Sequence, residues 1–248
     1  MGTGPALRPV RPAFGEPSPA CRRPRAGAYT SAMTFTGWPA EAIDFYEGLE
    51  ADNSKAYWQA NKAVYDEAVH APMVALLGDL AAEFEDGRIF RPFRDVRFSR
   101  DKSPYKTAIA ATLAAGGYIQ FSARGLGAGS GMYMMAPDQL ERYRAAVADD
   151  ASGGALEDLI ARLARKGVEV SGHDALKTAP KGYPKDHVRI ELLRNKGLVA
   201  WRQWPPDQRL GTAKAKTDVR DFLRSCEPMN EWLASHVGPT TLEMTRWG

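Results

Sequence analysis

The sequence is poor in the residues that build disulfide frameworks and metal sites. It has two cysteines, Cys21 and Cys226, and four histidines among 248 residues. Two cysteines cannot form a disulfide framework, and this usage favours a reducing, cytoplasmic setting. The histidines, at positions 70, 173, 187 and 236, are scattered, and none stands at metal-ligand spacing from another. We therefore expect no bound metal.

Long hydrophobic runs are also missing. No stretch approaches the roughly 18 to 20 apolar residues that a transmembrane helix needs, and the N-terminus lacks the apolar central region of a secretory signal. With 44% hydrophobic and 25% charged residues, the composition is typical of a globular protein that can build a sizeable core. We expect no membrane contact.

Nucleotide-binding and nucleophile motifs are incomplete. Residues 125–131, GLGAGSG, resemble a phosphate loop, yet no register gives G-x-G-x-x-G and no Lys-Ser/Thr pair follows. Ala128 and Met132 also break the G-x-S-x-G pattern around Ser130. Because the strand-like run MYMMA follows, we predict that residues 125–131 form a flexible hairpin connection. The sequence predicts no cofactor.

Basic charge is present, and it is concentrated in one stretch. Residues 88–106, here called the basic strip, hold seven basic and two acidic residues, a local net charge of +5 in a chain of +3. The first 33 residues add +4, so the remainder of the chain carries −6. A nucleic-acid binder more often shows a broadly basic surface. Nucleic acid is therefore the less favoured partner.

The chain divides into three parts. Residues 1–35 are rich in proline and arginine and poor in aliphatic residues, so we expect a disordered leader. We interpret it as an extension upstream of a start at Met33; a tail for nucleic acid and a transit peptide are the alternatives. Residues 36–237 form one domain, and residues 238–248 form a C-terminal tail.

Periodicity places helices at both ends of that domain and strands between them. Pro39 and Ser54 suit helix starts, and apolar spacing changes from 3.6 to 2 after Gly87. We predict an α+β fold with a mostly antiparallel central sheet and helices packed on it from the N- and C-terminal parts. The predicted helices are 36–49, 54–68, 72–84, 137–147, 155–166, 188–194 and 218–237, and the predicted strands are 88–99, 107–113, 118–123, 132–136, 168–170 and 198–204.

Arg94 is the anomaly of the basic strip. On a strand it shares a face with Phe90, Pro92, Val96 and Phe98, which should be buried. An uncompensated buried guanidinium costs several kcal/mol, so Arg94 requires a carboxylate or an anionic ligand.

The turn that follows the predicted strand adds further cations. Lys102, Tyr105 and Lys106 lie on it, with Arg94 or Arg97 at its base. Forked guanidinium donors and point-charge ammonium groups together suit an anion. We predict a ligand-binding pocket formed by these five side chains.

Helix and strip residues supply two further sets of candidates. Trp58 and Asn61 share one side of the second helix and could form a stacking and hydrogen-bonding wall; alternatively, Trp58 belongs to the core. Asp95 and Asp101 are the candidate acids or bases, because neighbouring cations favour an oriented, charged carboxylate. Whether the protein is an enzyme is left open.

Four ordered motifs carry a family resemblance. They are WQANKAVY, FRDVRFSRDKSPYKT, GSGMYMMAPDQLERYR and LKTAPKGYPKDH. Together they resemble the conserved proteins catalogued as domain of unknown function 2461, over roughly residues 36–237. The resemblance implies a single α+β unit and brings no catalytic residue with it.

Three hypotheses follow for function. The first is a cytoplasmic protein that binds a small anionic, phosphorylated ligand on the basic strip. The second is a nucleic-acid or protein interaction module that uses the same strip with Trp58. The third is a structural lattice of ion pairs without a ligand. The oligomeric state is left open.

Overall fold

The structure, a computed structural model, describes residues 34–242 except Phe98 and His173. The interpretation of the leader up to residue 33, of residues 243–248 of the tail and of Phe98 on the apolar face lies outside these residues. The helices are α1 (Glu41–Ala51), α2 (Lys55–Ala60), α3 (Lys62–Val64), a π-helix (Tyr65–His70), α4 (Ala71–Phe84), α5 (Pro137–Ala148), α6 (Asp150–Arg165), α7 (Ile190–Arg194) and α8 (Lys214–His236). The strands are β1 (Gly87–Ile89), β2 (Ala108–Leu113), β3 (Tyr118–Ser122), β4 (Gly125–Met132), β5 (Glu169–Ser171) and β6 (Leu198–Trp204).

The strands form a six-stranded sheet in the order β1-β2-β3-β4-β6-β5. Every neighbouring pair in it is antiparallel. Helices from the N-terminal and C-terminal parts of the chain pack on this sheet, since α1 contacts β3, α4 contacts β1 and β2, and α8 contacts β4. The predicted α+β class with a mostly antiparallel sheet is therefore confirmed.

The core lies between the sheet and these helices. In β2 the side chains alternate, so that Ile109 and Leu113 are buried while their neighbours are partly exposed. On β3, Phe121 is fully buried and stacks on Trp38 at a centroid distance of 4.6 Å. At the start of α2, the Ser54 hydroxyl accepts a hydrogen bond from the backbone N–H of Tyr57 at 3.1 Å, which confirms the predicted N-cap.

A π-helix replaces the end of the second predicted helix and connects it to the third. It spans Tyr65–His70 and leads directly into α4, where Pro72 stands in the first turn. The indole N–H of Trp38 donates to the carbonyl of Val69 at 3.4 Å and so gives a π-helical carbonyl a partner. Among the described helices, none combines the length and the apolarity needed to cross a membrane.

The predicted strand 88–99 is wrong beyond Ile89. Pro92 cannot donate a ladder hydrogen bond, and residues 91 and 92 lie opposite the longer segment 106–109. Pairing resumes irregularly, because the Lys106 N–H donates to the Pro92 carbonyl at 2.8 Å and the Arg94 N–H donates to the Pro104 carbonyl at 2.9 Å. The basic strip is thus a bulged ribbon with its tip at residues 95–103.

The predicted hairpin connection at residues 125–131 is also wrong. This stretch is the central strand β4, and the turn is formed by Ala123 and Arg124. A Cβ atom on Gly127 would stand 2.4 Å from the indole ring of Trp201, so the glycine lets that ring lie against the strand. The run MYMMA, predicted as a strand, is mostly loop because β4 ends at Met132.

Candidate functional site

Asn53 and Trp58 fix the base of the basic strip. The Asn53 side chain accepts a hydrogen bond from the Tyr105 N–H at 3.0 Å and donates to the Tyr105 carbonyl at 3.1 Å. The Trp58 indole stacks on the Tyr105 ring at 4.4 Å and 6°. Both rings are only 5% exposed, so Trp58 is a core residue, as the structural alternative predicted. Tyr105 is thus an anchor of the ribbon.

Arg94 is paired with Asp101. Its side chain is 31% exposed, so it is half-buried, and it lies within ion-pair distance of the Asp101 carboxylate. Asp101 also accepts hydrogen bonds from the Ser103 hydroxyl at 2.6 Å and the Ser103 N–H at 2.9 Å. Hydrogen bonds from Ser103 and Arg94 hold the pKa of Asp101 well below its usual range. A carboxylate therefore supplies the compensation that Arg94 needs.

Arg97 forms a forked pair with Asp95. Two guanidinium nitrogens donate to the two carboxylate oxygens at 3.0 and 2.7 Å. Side-chain and backbone hydrogen bonds from Arg97 lower the pKa of Asp95 to about 2. Both groups are exposed, so solvent screens the pair. Carboxylates held ionised in this way, Asp95 and Asp101 alike, are weak proton acceptors near neutral pH.

Lys102 and Asn61 make local contacts. The Lys102 ammonium donates to the Val96 carbonyl at 2.9 Å across the tip of the ribbon. The Asn61 side-chain amide donates to the Tyr57 carbonyl at 2.9 Å, one helical turn earlier, at the C-terminal end of α2. These contacts stabilise the tip and the helix end.

Lys106 and Arg91 are two cations of the basic strip that lie near each other and are not neutralised by a carboxylate. Lys106 is half-buried, and its ammonium nitrogen lies 5.5 Å from the centre of the Phe90 ring. Burial lowers the pKa of Lys106, and the charge of Arg91 lowers it further. Among the described residues, neither cation forms an ion pair with a carboxylate. The charge of Arg91 makes the smallest contribution to the lowered pKa of Asp95, whose main partner is Arg97.

Arg91 is the functional candidate that the sequence missed. On a regular strand Arg91 lies on the face opposite Arg94, so the sequence did not group it with the predicted ligand contacts. Its proximity to Lys106 depends on the bulge that sets residues 91 and 92 against 106–109. Proline at position 92 is the one signal of that irregularity in the sequence.

The described part of the chain has pockets away from the basic strip. One, of about 380 Å³, lies between α6 and α8; another, of about 330 Å³, lies where residues 34–39 meet the start of α4. No strip residue lines either pocket. Among the described residues, no three His, Cys, Asp or Glu side chains are grouped so that they could hold a metal ion.

Comparison with known proteins agrees with the motifs. No curated protein matches the chain. The chain is similar to the solved structure of a conserved hypothetical protein from Pyrococcus furiosus, with 11% sequence identity and a TM-score of 0.36, over 69% of this chain and 97% of that one. The sequence model of the family described as conserved hypothetical protein (DUF2461) matches residues 41–232. The chain belongs to this family, domain of unknown function 2461.

Proposed function

We propose that the protein binds a small phosphorylated ligand on the basic strip, with Lys106 and Arg91 as its main contacts. The observation that carries the proposal is that Arg91 lies close enough to Lys106 to lower its pKa, while neither cation forms an ion pair with a carboxylate among the described residues. An anion placed between them would relieve their repulsion and favour the charged form of Lys106. A phosphate group suits this pair, because guanidinium offers forked donors and ammonium a point charge.

The other predicted contacts have secondary roles in this proposal. Arg94 and Arg97 already hold Asp101 and Asp95, so binding an anion would compete with those pairs. The Lys102 ammonium donates one hydrogen bond to the Val96 carbonyl and has two further N–H donors. Tyr105 positions Lys106 through its stacking on Trp58.

The Phe90 ring gives the site an apolar wall. It lies beside the Lys106 ammonium and 6.4 Å from the Tyr118 ring, measured between centroids. A ligand with a compact anionic group and an apolar or planar part fits this combination. We place the protein in the reducing cytoplasm on the strength of its cysteine usage.

Phosphate titration of single variants tests the proposal. Inorganic phosphate and pyrophosphate are titrated into the full chain, with calorimetry or amide chemical shifts as the readout. We expect Lys106→Ala and Arg91→Ala each to weaken pyrophosphate binding by about tenfold or more, since a charge-assisted hydrogen bond contributes roughly 1.5 to 3 kcal/mol. Arg97→Ala removes the same charge from an exposed, already paired site and should change the affinity less than threefold. Equal losses in all three variants, or none in Lys106→Ala, would contradict the proposal.

A second candidate function rests on Phe93. This ring is 49% exposed, and along the ribbon it alternates with the exposed residues Arg91, Asp95 and Arg97. A stacking ring flanked by cations is typical of single-stranded nucleic-acid binding. The charge of −6 outside the leader and the basic strip argues against a broad duplex footprint.

Oligonucleotide binding separates the two candidates. For the single-strand function we expect a steep loss of affinity with salt and a loss of about fivefold or more in Phe93→Ala, because base stacking contributes roughly 1 to 3 kcal/mol. For the small-ligand function, Phe93→Ala leaves pyrophosphate binding unchanged, and a short oligonucleotide binds no more tightly than pyrophosphate.

A further inference from the structure

A groove between α6 and α8 lies away from the basic strip, since no strip residue lines it. At one end the two helices are joined, because the Trp232 indole N–H donates to the carbonyl of Ser152 at 2.9 Å. Towards the C-terminal end of α6 they leave a groove of about 380 Å³, a volume within the range of small-molecule sites. Pro228 of α8 lies in this groove and presents a short ring to α6 instead of a long side chain.

The groove is apolar inside. Leu163 and Met229 are buried in its floor, and Leu159 is partly exposed there. Ser225 also lines it, but its hydroxyl donates to the Phe222 carbonyl of its own helix at 2.7 Å. The floor therefore offers dispersion contacts and apolar burial to an occupant and no uncharged donor for recognition.

The rim of the groove is cationic. Arg162, Arg165 and Lys166 line one side, and all three are exposed. No acidic side chain lines the groove, and within the described residues these cations form no ion pair with a carboxylate. Arg202 adds a fourth positive charge nearby, since its guanidinium donates to the Lys166 carbonyl at 3.1 Å.

Helix α6 itself explains only part of this arrangement. Cations in the last turn of a helix are favoured by its carbonyl dipoles, which accounts for Arg165 and Lys166 at this end. The dipole does not account for an apolar groove directly beneath them. An apolar floor under a cationic rim is complementary to a molecule with a straight hydrocarbon chain and one anionic head.

We propose that this groove binds an anionic amphiphile, a fatty-acid-like carboxylate, with its chain on Leu159, Leu163 and Met229 and its head on Arg165 and Lys166. The aliphatic floor favours an acyl chain over a planar ring, because the groove has no aromatic side chain on which a ring could stack. The site is independent of the phosphate site proposed for the basic strip.

Three ligands with ten-carbon chains and one with an eight-carbon chain test the proposal on the full chain. Sodium decanoate, sodium octanoate, decan-1-ol and decyltrimethylammonium are titrated below their aggregation concentrations, with the ¹³C-methyl signal of Met229 as the local readout. We expect decanoate to shift this signal and to bind about tenfold tighter than decanol. Octanoate should bind on the order of tenfold more weakly than decanoate, because each buried methylene contributes roughly fourfold in affinity.

Surface variants assign the head group. The double variant Arg165→Gln and Lys166→Gln should lower decanoate affinity to that of decanol and leave decanol binding unchanged. A matched control, Lys55→Gln with Arg124→Gln, removes the same charge from exposed positions outside the groove and should bind decanoate like the unmodified chain. The proposal is overturned if decyltrimethylammonium binds as tightly as decanoate, if the Met229 signal does not respond, or if the control loses as much affinity as the groove variant.

Discussion

Replacing Asn53 by alanine tests whether one side chain holds the basic strip on the helical layer. The Asn53 side chain forms hydrogen bonds with both the N–H and the carbonyl of Tyr105, a residue that is 5% exposed. Each hydrogen bond contributes about 1 kcal/mol net, and a buried polar group left without a partner costs roughly 1 to 3 kcal/mol. We expect Asn53→Ala to lower the free energy of unfolding by about 2 to 4 kcal/mol.

Urea unfolding measures this loss. With a slope of roughly 2 to 3 kcal/mol per molar urea, the midpoint should fall by about 1 M while the slope stays constant. Asn53→Asp keeps the acceptor and loses the donor, so its midpoint should lie between those of the other two proteins. Asn61→Ala is the matched control, because Asn61 makes a single hydrogen bond at a helix end, and it should cost about 1 kcal/mol or less.

Asn53 does not hold the basic strip if Asn53→Ala lowers the free energy of unfolding no more than Asn61→Ala does. In that case the stacking of Trp58 on Tyr105 holds the ribbon without the amide, and the Asn53 side chain contributes little to the free energy of unfolding. A fall in the slope instead of the midpoint would also refute it, because that result indicates a change in the compactness of the unfolded or folded chain.

Two further predictions concern the strand glycine and the half-buried lysine. Gly127→Ala should destabilise the fold by about 1 to 3 kcal/mol, because the new Cβ meets the Trp201 ring. Gly154→Ala lies in the interior of α6 with no atom within 4 Å of the new Cβ, so it should stabilise the fold by roughly 0.5 to 1 kcal/mol. Thermal unfolding of both variants measures the contrast, and equal effects would contradict it. Because the folded-state pKa of Lys106 is lowered, the unfolded chain binds more protons than the folded chain between that pKa and about 10.4, and stability rises with pH there. Lys106→Met should therefore be more stable than the unmodified protein at pH 7 and lose this advantage by about pH 10.5, as urea unfolding at the two pH values would show; an advantage that is independent of pH would refute the assignment.

The sequence was sufficient where one periodicity ran through a whole element. The amphipathic spacing of α1, α5 and α8 and the alternation of β2 predicted these elements, because each buries one face against the same core. The bounds of α5 and β2 were close, whereas α1 begins later and α8 begins earlier than predicted. The N-cap at Ser54 could be predicted because its hydrogen bond involves only residues at the start of the same helix. The antiparallel sheet followed from these elements.

The sequence was insufficient where a partner far along the chain decides the structure. Glycine-rich β4 looked like a connection because its local propensity for strand is low, yet Trp201 of β6 covers Gly127. In the same way, the position of Arg91 beside Lys106 depends on a bulge that only the paired segments define. The charge of the strip and the exposed pair of Arg97 with Asp95 can be predicted from the sequence; the pairing of Asp101 with Arg94 cannot.

The order of the strands has a consequence for how the chain folds. β4 pairs with β6 along its length, from Leu126 opposite Trp204 to Met132 opposite Leu198, and α5, α6, β5 and α7 all lie between them in sequence. Forming this pairing closes a long loop, and the chain entropy lost on closure is offset only after the contacts between the two strands have formed. The β2–β3–β4 meander can form from local turns, whereas the β4–β6 pairing is expected to form late and to limit the folding rate. A folding intermediate that protects the amides of β3 but not those of β6 from hydrogen exchange is the kinetic signature of this topology.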